Sequence, residues 1–341
     1  MAILPALLLG LTTLATPLPV IFDTDMDTDC DDAGAMAVLH ALADRGECTI
    51  LGTLVSVTHP ASAPTVAAIN AYYGRPELPI GAPKTHGGSH PSAYVDGIAR
   101  EFPTALRATA DAEDATLVYR RLLEAQPDGA VTIITVGYLT NLRNLLELPA
   151  EPGHASGLEL VRAKVARYVC MGGNFIGSPA HDDLKLGNVN FQRDAASALA
   201  VIRDWPTPIV FCGREVCSVP SGLAIGRCLS QTPAGNPVRR AYELYFGGKL
   251  ADRHVADLAT VLYAVRGLTD CWDLHQGGWM DLQPDMTFTW RDEPDRRQSY
   301  LLKKRNDQGQ PNDRQVEAVL SALLVQPPRQ VPQPEQPPAA R

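Results

Sequence analysis

No CxxC pair occurs among the seven cysteines, and an odd number cannot close into a complete disulfide framework. Cys212 and Cys217 flank Gly-Arg-Glu-Val with no histidine beside them, a poor arrangement for zinc. Scattered small core residues are what remains, and they do not point to a compartment. An excess of positive charge is also missing. Thirty Lys and Arg against 38 Asp and Glu give a net charge of −8, which argues against nucleic acid or an anionic membrane as partner. A membrane span is absent too, because the apolar start of the chain is broken by Pro5 and falls short of the roughly 20 residues a helix needs. Residues 1–17 end in small residues near Ala15 like a signal peptide, yet lack a positively charged leading segment. The alternative is an apolar leader, from a misplaced start or an added strand. A signal peptide implies a secreted or periplasmic protein, an apolar leader a cytoplasmic one. There is no internal repeat and no linker in mid-chain, so residues 18–326 are expected to form one domain. The end, residues 327–341, is rich in Pro and Gln and is expected to be a disordered tail.

What the chain does have is Val20 to Ala43, VIFDTDMDTDCDDAGAMAVLHALA. Val20, Ile21 and Phe22 predict a short buried strand. Six aspartates follow in ten positions: Asp23, Asp25, Asp27, Asp29, Asp31 and Asp32. Ala33 to Ala43 then predicts a helix, closed by Gly46. The carboxylates therefore lie on a strand-to-helix turn, where open α/β sheets place their ligands. Like charges this dense repel, and hard oxygen donors call for Ca²⁺ or Mg²⁺. A solvated acidic turn capping a helix would suit two aspartates better than six.

Further on, strands and helices alternate. Strands are expected at 48–57, 78–80, 130–136, 166–171 and 208–212, and helices at 60–73, 114–124, 139–148, 195–203, 237–246 and 257–265. A β-rich stretch (286–290, 299–302) and a helix over 313–324 follow. The continuous apolar run AVTIITV (130–136) suits a strand covered on both faces. The pattern predicts an α/β fold: an open, mostly parallel, Rossmann-like sheet with helices on both faces. His86 and His90 lie in the Gly-rich loop PKTHGGSHP (83–91), more in keeping with a surface loop or lid than with metal ligands.

Several blocks together resemble the inosine–uridine-preferring nucleoside hydrolase family. DTDMDTDCDDAGAMAVL is similar to the family's aspartate-rich opening in a longer-loop form. VTIITVGYLTNLRNLL (131–146) is similar to its apolar strand followed by GPLTN. MGGNF (171–175) and GNVNFQRDAASA (187–198) resemble two further segments, as do PIVFCGREV (208–216) and DLATVLYAV (257–265), all in the family's order. The resemblance implies a Ca²⁺ ion held by Asp25, Asp32, the carbonyl of Val136 and Asp257, with Asp25 also the general base. It implies that Asp31 and Asp257 bind ribose hydroxyls, that Asn190, four residues before Asp194, does likewise, and that Asn188 meets the 5′-hydroxyl. A small nucleoside or N-riboside substrate and assembly as a homo-oligomer follow in the same way.

The chemistry is coherent in its own right. Ca²⁺ takes roughly six to eight oxygens, which three carboxylates, a carbonyl, water and two sugar hydroxyls would complete. Surrounding carboxylates also suit an oxocarbenium-like sugar. The chain departs from the family in two places. Asp27 stands where the loop usually has Gly, and a shift of register would make Asp27 rather than Asp25 the base; Asp23 is a third carboxylate in reach. Ala256 stands where many members have a His before the last aspartate. His254 lies two residues earlier, where a helix or tight loop would turn it to another face, and Tyr242 or Tyr245 are alternative acids. A weakened ribose- or nucleoside-binding protein is therefore a second reading. A DxD-type phosphatase is a third, opposed by the lack of Thr or Val at the fifth position in either frame.

Overall fold

The computed structural model describes residues 16–85, 87–175, 188–218 and 221–329. Residues 1–15 of the expected leader, the expected tail beyond Arg329, and His86 lie outside the described residues. The expected opening strand is β1 (Leu18–Thr24), buried from Val20 onward. Its side chains alternate as a strand between two layers should: Val20 and Phe22 join one core cluster, Ile21 the other. The former holds the helices Asp31–Asp44, Ser62–Tyr72, Ala256–Arg266 and Asp313–Leu324; the latter holds Ala115–Glu124, Thr140–Glu147 and Ala195–Asp204.

After β1 the chain forms β2 (Cys48–Val55), β3 (Ile80–Ala82), β4 (Glu113–Asp114), β5 (Val131–Thr135), β6 (Val165–Met171), β7 (Ile209–Cys212), β8 (Ala224–Ile225), β9 (Arg253–His254), β10 (Trp272–Leu282), β11 (Phe288–Asp292) and β12 (Gln298–Lys303). Ten of these make one sheet in the order β11-β10-β12-β7-β6-β5-β1-β2-β3-β4. Pairing is parallel from β12 to β4, and β10 runs antiparallel to both its neighbours. The mostly parallel, single-domain α/β architecture is thus as expected, with an antiparallel edge.

Strand order positions the site. From β1 the chain works outward through β2 and β3 to β4, then returns to the other side of β1 with β5 and moves outward through β6 to β7. Crossovers leave β1 and β5 in opposite directions, which opens a crevice at the carboxyl ends of these two strands. Into that crevice run the aspartate loop after β1 and Val136 after β5. The β8–β9 ribbon stands apart as a two-stranded sheet.

Two features were not legible beforehand. β10 is an 11-residue strand whose alternation is interrupted by a bulge between Gln276 and Gly278, with Gly277 at φ +78°. The helices Val95–Glu101 and Gly157–Lys164 are short and only partly apolar. Caps explain several ends that were legible: Asp114 accepts from Thr116 N at the start of Ala115–Glu124, and Asn236 caps Pro237–Tyr245.

Candidate active site

The last residues of β1 are held from below. Asp23 is buried, and Asn141 Nδ2 donates to both its oxygens, at 3.1 and 3.0 Å, and to the Val55 carbonyl at 2.9 Å. Tyr119 donates its hydroxyl to the same carboxyl at 3.0 Å. Burial pushes the Asp23 pKa up to about 7 against the pull of these hydrogen bonds. Asp23 thus ties β1 to the helices Thr140–Glu147 and Ala115–Glu124 beneath the site. Its backbone carbonyl accepts from Val136 N at 2.9 Å and sets the turn after β5. Gly137 completes that turn because a Cβ there would lie 2.4 Å from Asp25 N.

Above this floor is a cavity of about 260 Å³ lined by Asp25, Asp29, Asp31, Asp32, Val136, Asn188, Asn190 and Asp257, with Arg193, Arg214, Arg253 and His254. Residues more than 200 positions apart meet because the helices Asp31–Asp44 and Ala256–Arg266 pack side by side on one face of the sheet. Asp257 sits in the first turn of the latter.

One wall is carboxylate without an ion pair. Asp25, Asp32 and Asp257 are each about 5% exposed or less and have no cation within ion-pair distance among the described residues. Asp32 accepts a hydrogen bond from the Thr24 hydroxyl. Burial first, then mutual repulsion, holds all three carboxyls well above the usual range: Asp27 and Asp29 act on Asp25, Asp25 and Asp31 on Asp32, and Asp31 and Asp32 on Asp257. The Val136 carbonyl beside them accepts from Asn190 Nδ2 at 2.8 Å. Asn188 caps the short helix Val189–Arg193, its Oδ1 accepting from Asn190 N at 2.7 Å and its Nδ2 lying 3.1 Å from Met171 Sδ.

The other wall is paired. Asp29 accepts from Tyr245 at 2.8 Å and from Arg253 at 2.6 Å. His254 Nδ1 lies 3.1 Å from Asp31 Oδ2. Burial alone would raise the Asp31 carboxyl, but the His254 charge and then Arg253 bring it below its ordinary value. Burial likewise opposes the His254 imidazolium, and Asp31 more than offsets it, leaving the His254 pKa raised. His254 does not turn away as a helical position would; it belongs to β9, and pairing with Ala224 presents it to the cavity.

Asp27 takes a different course from Asp25. It is fully buried outside the cavity lining, accepts from His90 N at 3.3 Å and leaves Oδ1 unpartnered. Burial pushes its pKa up to about 6. Tyr242 is buried with its hydroxyl at Gly34 and unpartnered, while Tyr245 is engaged by Asp29; neither lines the cavity. The three arginines were missed from the sequence. Arg214 was within reach, since it falls inside PIVFCGREV, but no local pattern tells an arginine that faces a cavity from one that faces water.

Asp29, Asp31 and His254 have donor atoms within 4.8 Å of one another. Within this trio His254 is itself the partner of Asp31, and Arg253 and Tyr245 serve Asp29. Asp25, Asp32 and Asp257 are the wall without ion pairs, and their oxygens with the Val136 carbonyl are a hard donor set suited to a divalent cation.

Residues 20–320 match the model of the inosine-uridine preferring nucleoside hydrolase family. A plant nucleoside hydrolase superposes with a TM-score of 0.63 at 20% identity, over 91% of this chain and 100% of that one. The purine-preferring ribonucleoside hydrolase from Gardnerella vaginalis gives 0.66 at 17% identity, over 90% and 98%. The type III effector protein XopQ, complexed with adenosine diphosphate ribose, gives 0.60 at 16%, over 91% and 93%. At these identities the structures show the shared fold. No curated protein sequence matches the chain. Among the described residues no helix is long and apolar enough to cross a membrane.

Proposed function

The chain belongs to the inosine-uridine preferring nucleoside hydrolase family, hydrolases acting on N-glycosyl compounds, and from that premise we propose that it cleaves a ribonucleoside or related N-riboside to base and ribose with the help of Ca²⁺. One observation carries the proposal. Three buried, mutually repelling carboxylates from two distant segments converge with a backbone carbonyl on one cavity, and none of them has an ion pair among the described residues, the Arg193 charge offsetting only part of the repulsion on Asp25.

Asp25, Asp32, Asp257 and the Val136 carbonyl would hold the ion, and when bound it supplies a lowered pKa for water and an anchor for sugar hydroxyls. Asp25, at the mouth of the β1–β5 crevice, accepts the proton of the attacking water. Asp31 and the amides of Asn188 and Asn190 orient the ribose. As the bond from C1′ to the base nitrogen breaks, positive charge grows on the sugar ring, and the fixed carboxylates favour it. His254 is the cavity residue able to hand a proton to the departing base, since Asp31 favours its charged form. A homo-oligomer is part of the same proposal, tested by the mass in solution; a monomer overturns that part.

A nucleoside panel read by free reducing sugar, with Ca²⁺ added and then chelated, tests the reaction. Turnover that survives both chelation and Asp25→Ala overturns it. Ala256 in place of a histidine before Asp257 favours one alternative, a protein that binds riboside without cleaving it; saturable ribose binding without product would establish that instead.

A further inference from the structure

Cleaving a neutral riboside builds positive charge on the sugar, so a fixed cation near it that neither activates water nor is offset by a carboxylate works against the reaction. Three arginines nevertheless line the cavity. Arg253 is accounted for by Asp29 at 2.6 Å. Arg193 donates to the Tyr138 hydroxyl at 2.9 Å and lies within the field of Asp25 and Asp27. Arg214 is different. It is half-buried, and among the described residues its guanidinium has neither an ion pair nor a hydrogen bond. Burial pulls its pKa below the ordinary value, the mark of a cation that wants an anion. Glu215 acts on it through charge but forms no ion pair with it: both Glu215 oxygens fold back against Gly213, where a Cβ would meet them at 2.5 Å.

The surroundings of Arg214 are those of an anion site. Its backbone N donates to the Gly173 carbonyl at 3.1 Å, which fixes it just beyond the carboxyl end of β6. Ser218, at the far end of the same short helix, faces the same cavity, and Asn188 lies against Met171, the last residue of β6. This wall is separated from β1 and its aspartates by β5. A riboside seated with its diol and C1′ at the carboxylates can therefore bring another substituent to Arg214. A planar guanidinium fork with a neighbouring hydroxyl suits the oxygens of a phosphate.

We propose that the substrate of this cavity is an N-riboside bearing an anionic group, a 5′-phosphate, received by Arg214 and Ser218. The inference rests on the hydrolytic reading of the site. Water's oxygen bonds to C1′ and keeps one proton as the new hydroxyl, its other proton passes to Asp25, and the bond pair of the C1′–N bond leaves with the base, which takes a proton from His254. The products are base and ribose 5-phosphate.

The test compares kcat/KM of the Ca²⁺-loaded protein for inosine, inosine 5′-monophosphate and nicotinic acid riboside, the last carrying its anion on the base. The monophosphate is expected to be favoured over inosine by about tenfold to a hundredfold, the range of a charge-assisted guanidinium–phosphate contact. Arg214→Gln should lower that ratio by about tenfold or more, and Arg214→Lys should recover part of it. Equal or lower kcat/KM for the monophosphate, with a ratio unmoved by Arg214→Gln, overturns the proposal. A preference for the base-carboxylate riboside that disappears in Arg214→Gln overturns the phosphate assignment. If no substrate turns over, the hydrolytic reading fails, and calorimetry still decides this one: tighter monophosphate than inosine binding, lost in Arg214→Gln, upholds it, and equal affinities overturn it.

Discussion

On one side of the cavity Asp29 and Asp31 face Arg253, Tyr245 and His254; on the other Asp25, Asp32 and Asp257 face one another. The residue type is the same, yet Asp29 and Asp31 have cationic partners beside them and Asp25, Asp32 and Asp257 have no ion pair among the described residues. A buried carboxylate with its own cation already has much of its charge offset. One without is either protonated or waiting for a cation, and only that kind can exchange a ligand during a reaction. The paired wall holds the loop through Asp29 and presents His254 and Asp31; the unpaired wall is the one the proposed reaction leaves to a metal ion.

The contrast can be broken in order of effect. Asp25→Ala is expected to cut turnover by about 10²–10⁴, the usual worth of a positioned general base, while Arg253→Ala reduces it far less; comparable losses in the two variants would erase the distinction. Ca²⁺ at a hundredfold excess over its Kd should raise the unfolding free energy by about 2.7 kcal/mol, seen as a higher Tm, and Asp257→Ala should abolish that gain. An unchanged Tm with Ca²⁺ would show that the unpaired wall binds no ion.

Protonation provides the third test. Asp23 has a pKa of about 7 in the folded protein against 3.8 for an unperturbed aspartate, so its contribution to stability is present below pH 4 and is lost as pH rises through 7. Asp27, at about 6, acts in the same direction, and Asp31, held down by His254, in the opposite one. In chelator, urea unfolding should therefore report a protein less stable at pH 7.5 than at pH 5, by on the order of 3 kcal/mol from Asp23. A flat profile would mean that these carboxyls are balanced by something other than protons. The smallest effect is Arg253→Ala, expected to cost about 1 kcal/mol because the Asp29–Arg253 pair is partly exposed, at 33% and 26%. A cost several times larger would make the paired wall the principal brace of the loop.

Much of this layout could be read in advance where the cause is local. An apolar strand running into carboxylates and then an alanine-rich helix is decided by neighbours in the chain, so β1 and Asp31–Asp44 fall where expected. The helix Asp313–Leu324 is found where the pattern of apolar residues put it. β10 escaped because a bulge breaks the alternation that marks a strand. His254 was misjudged for a related reason: a two-residue ribbon carries no periodic signal, and its pairing with Ala224 alone aims the imidazole.

By itself, then, the sequence determined that a dense carboxylate turn would follow a buried strand in an α/β sheet, because backbone preference and hydrophobic periodicity act over a few residues. Tertiary structure alone decided which carboxylates are neutralised. Arg253 reaches Asp29 across 224 positions of chain, and Asp257 reaches Asp32 across a similar span. Charge interaction depends on distance and burial in space, neither of which sequence separation records.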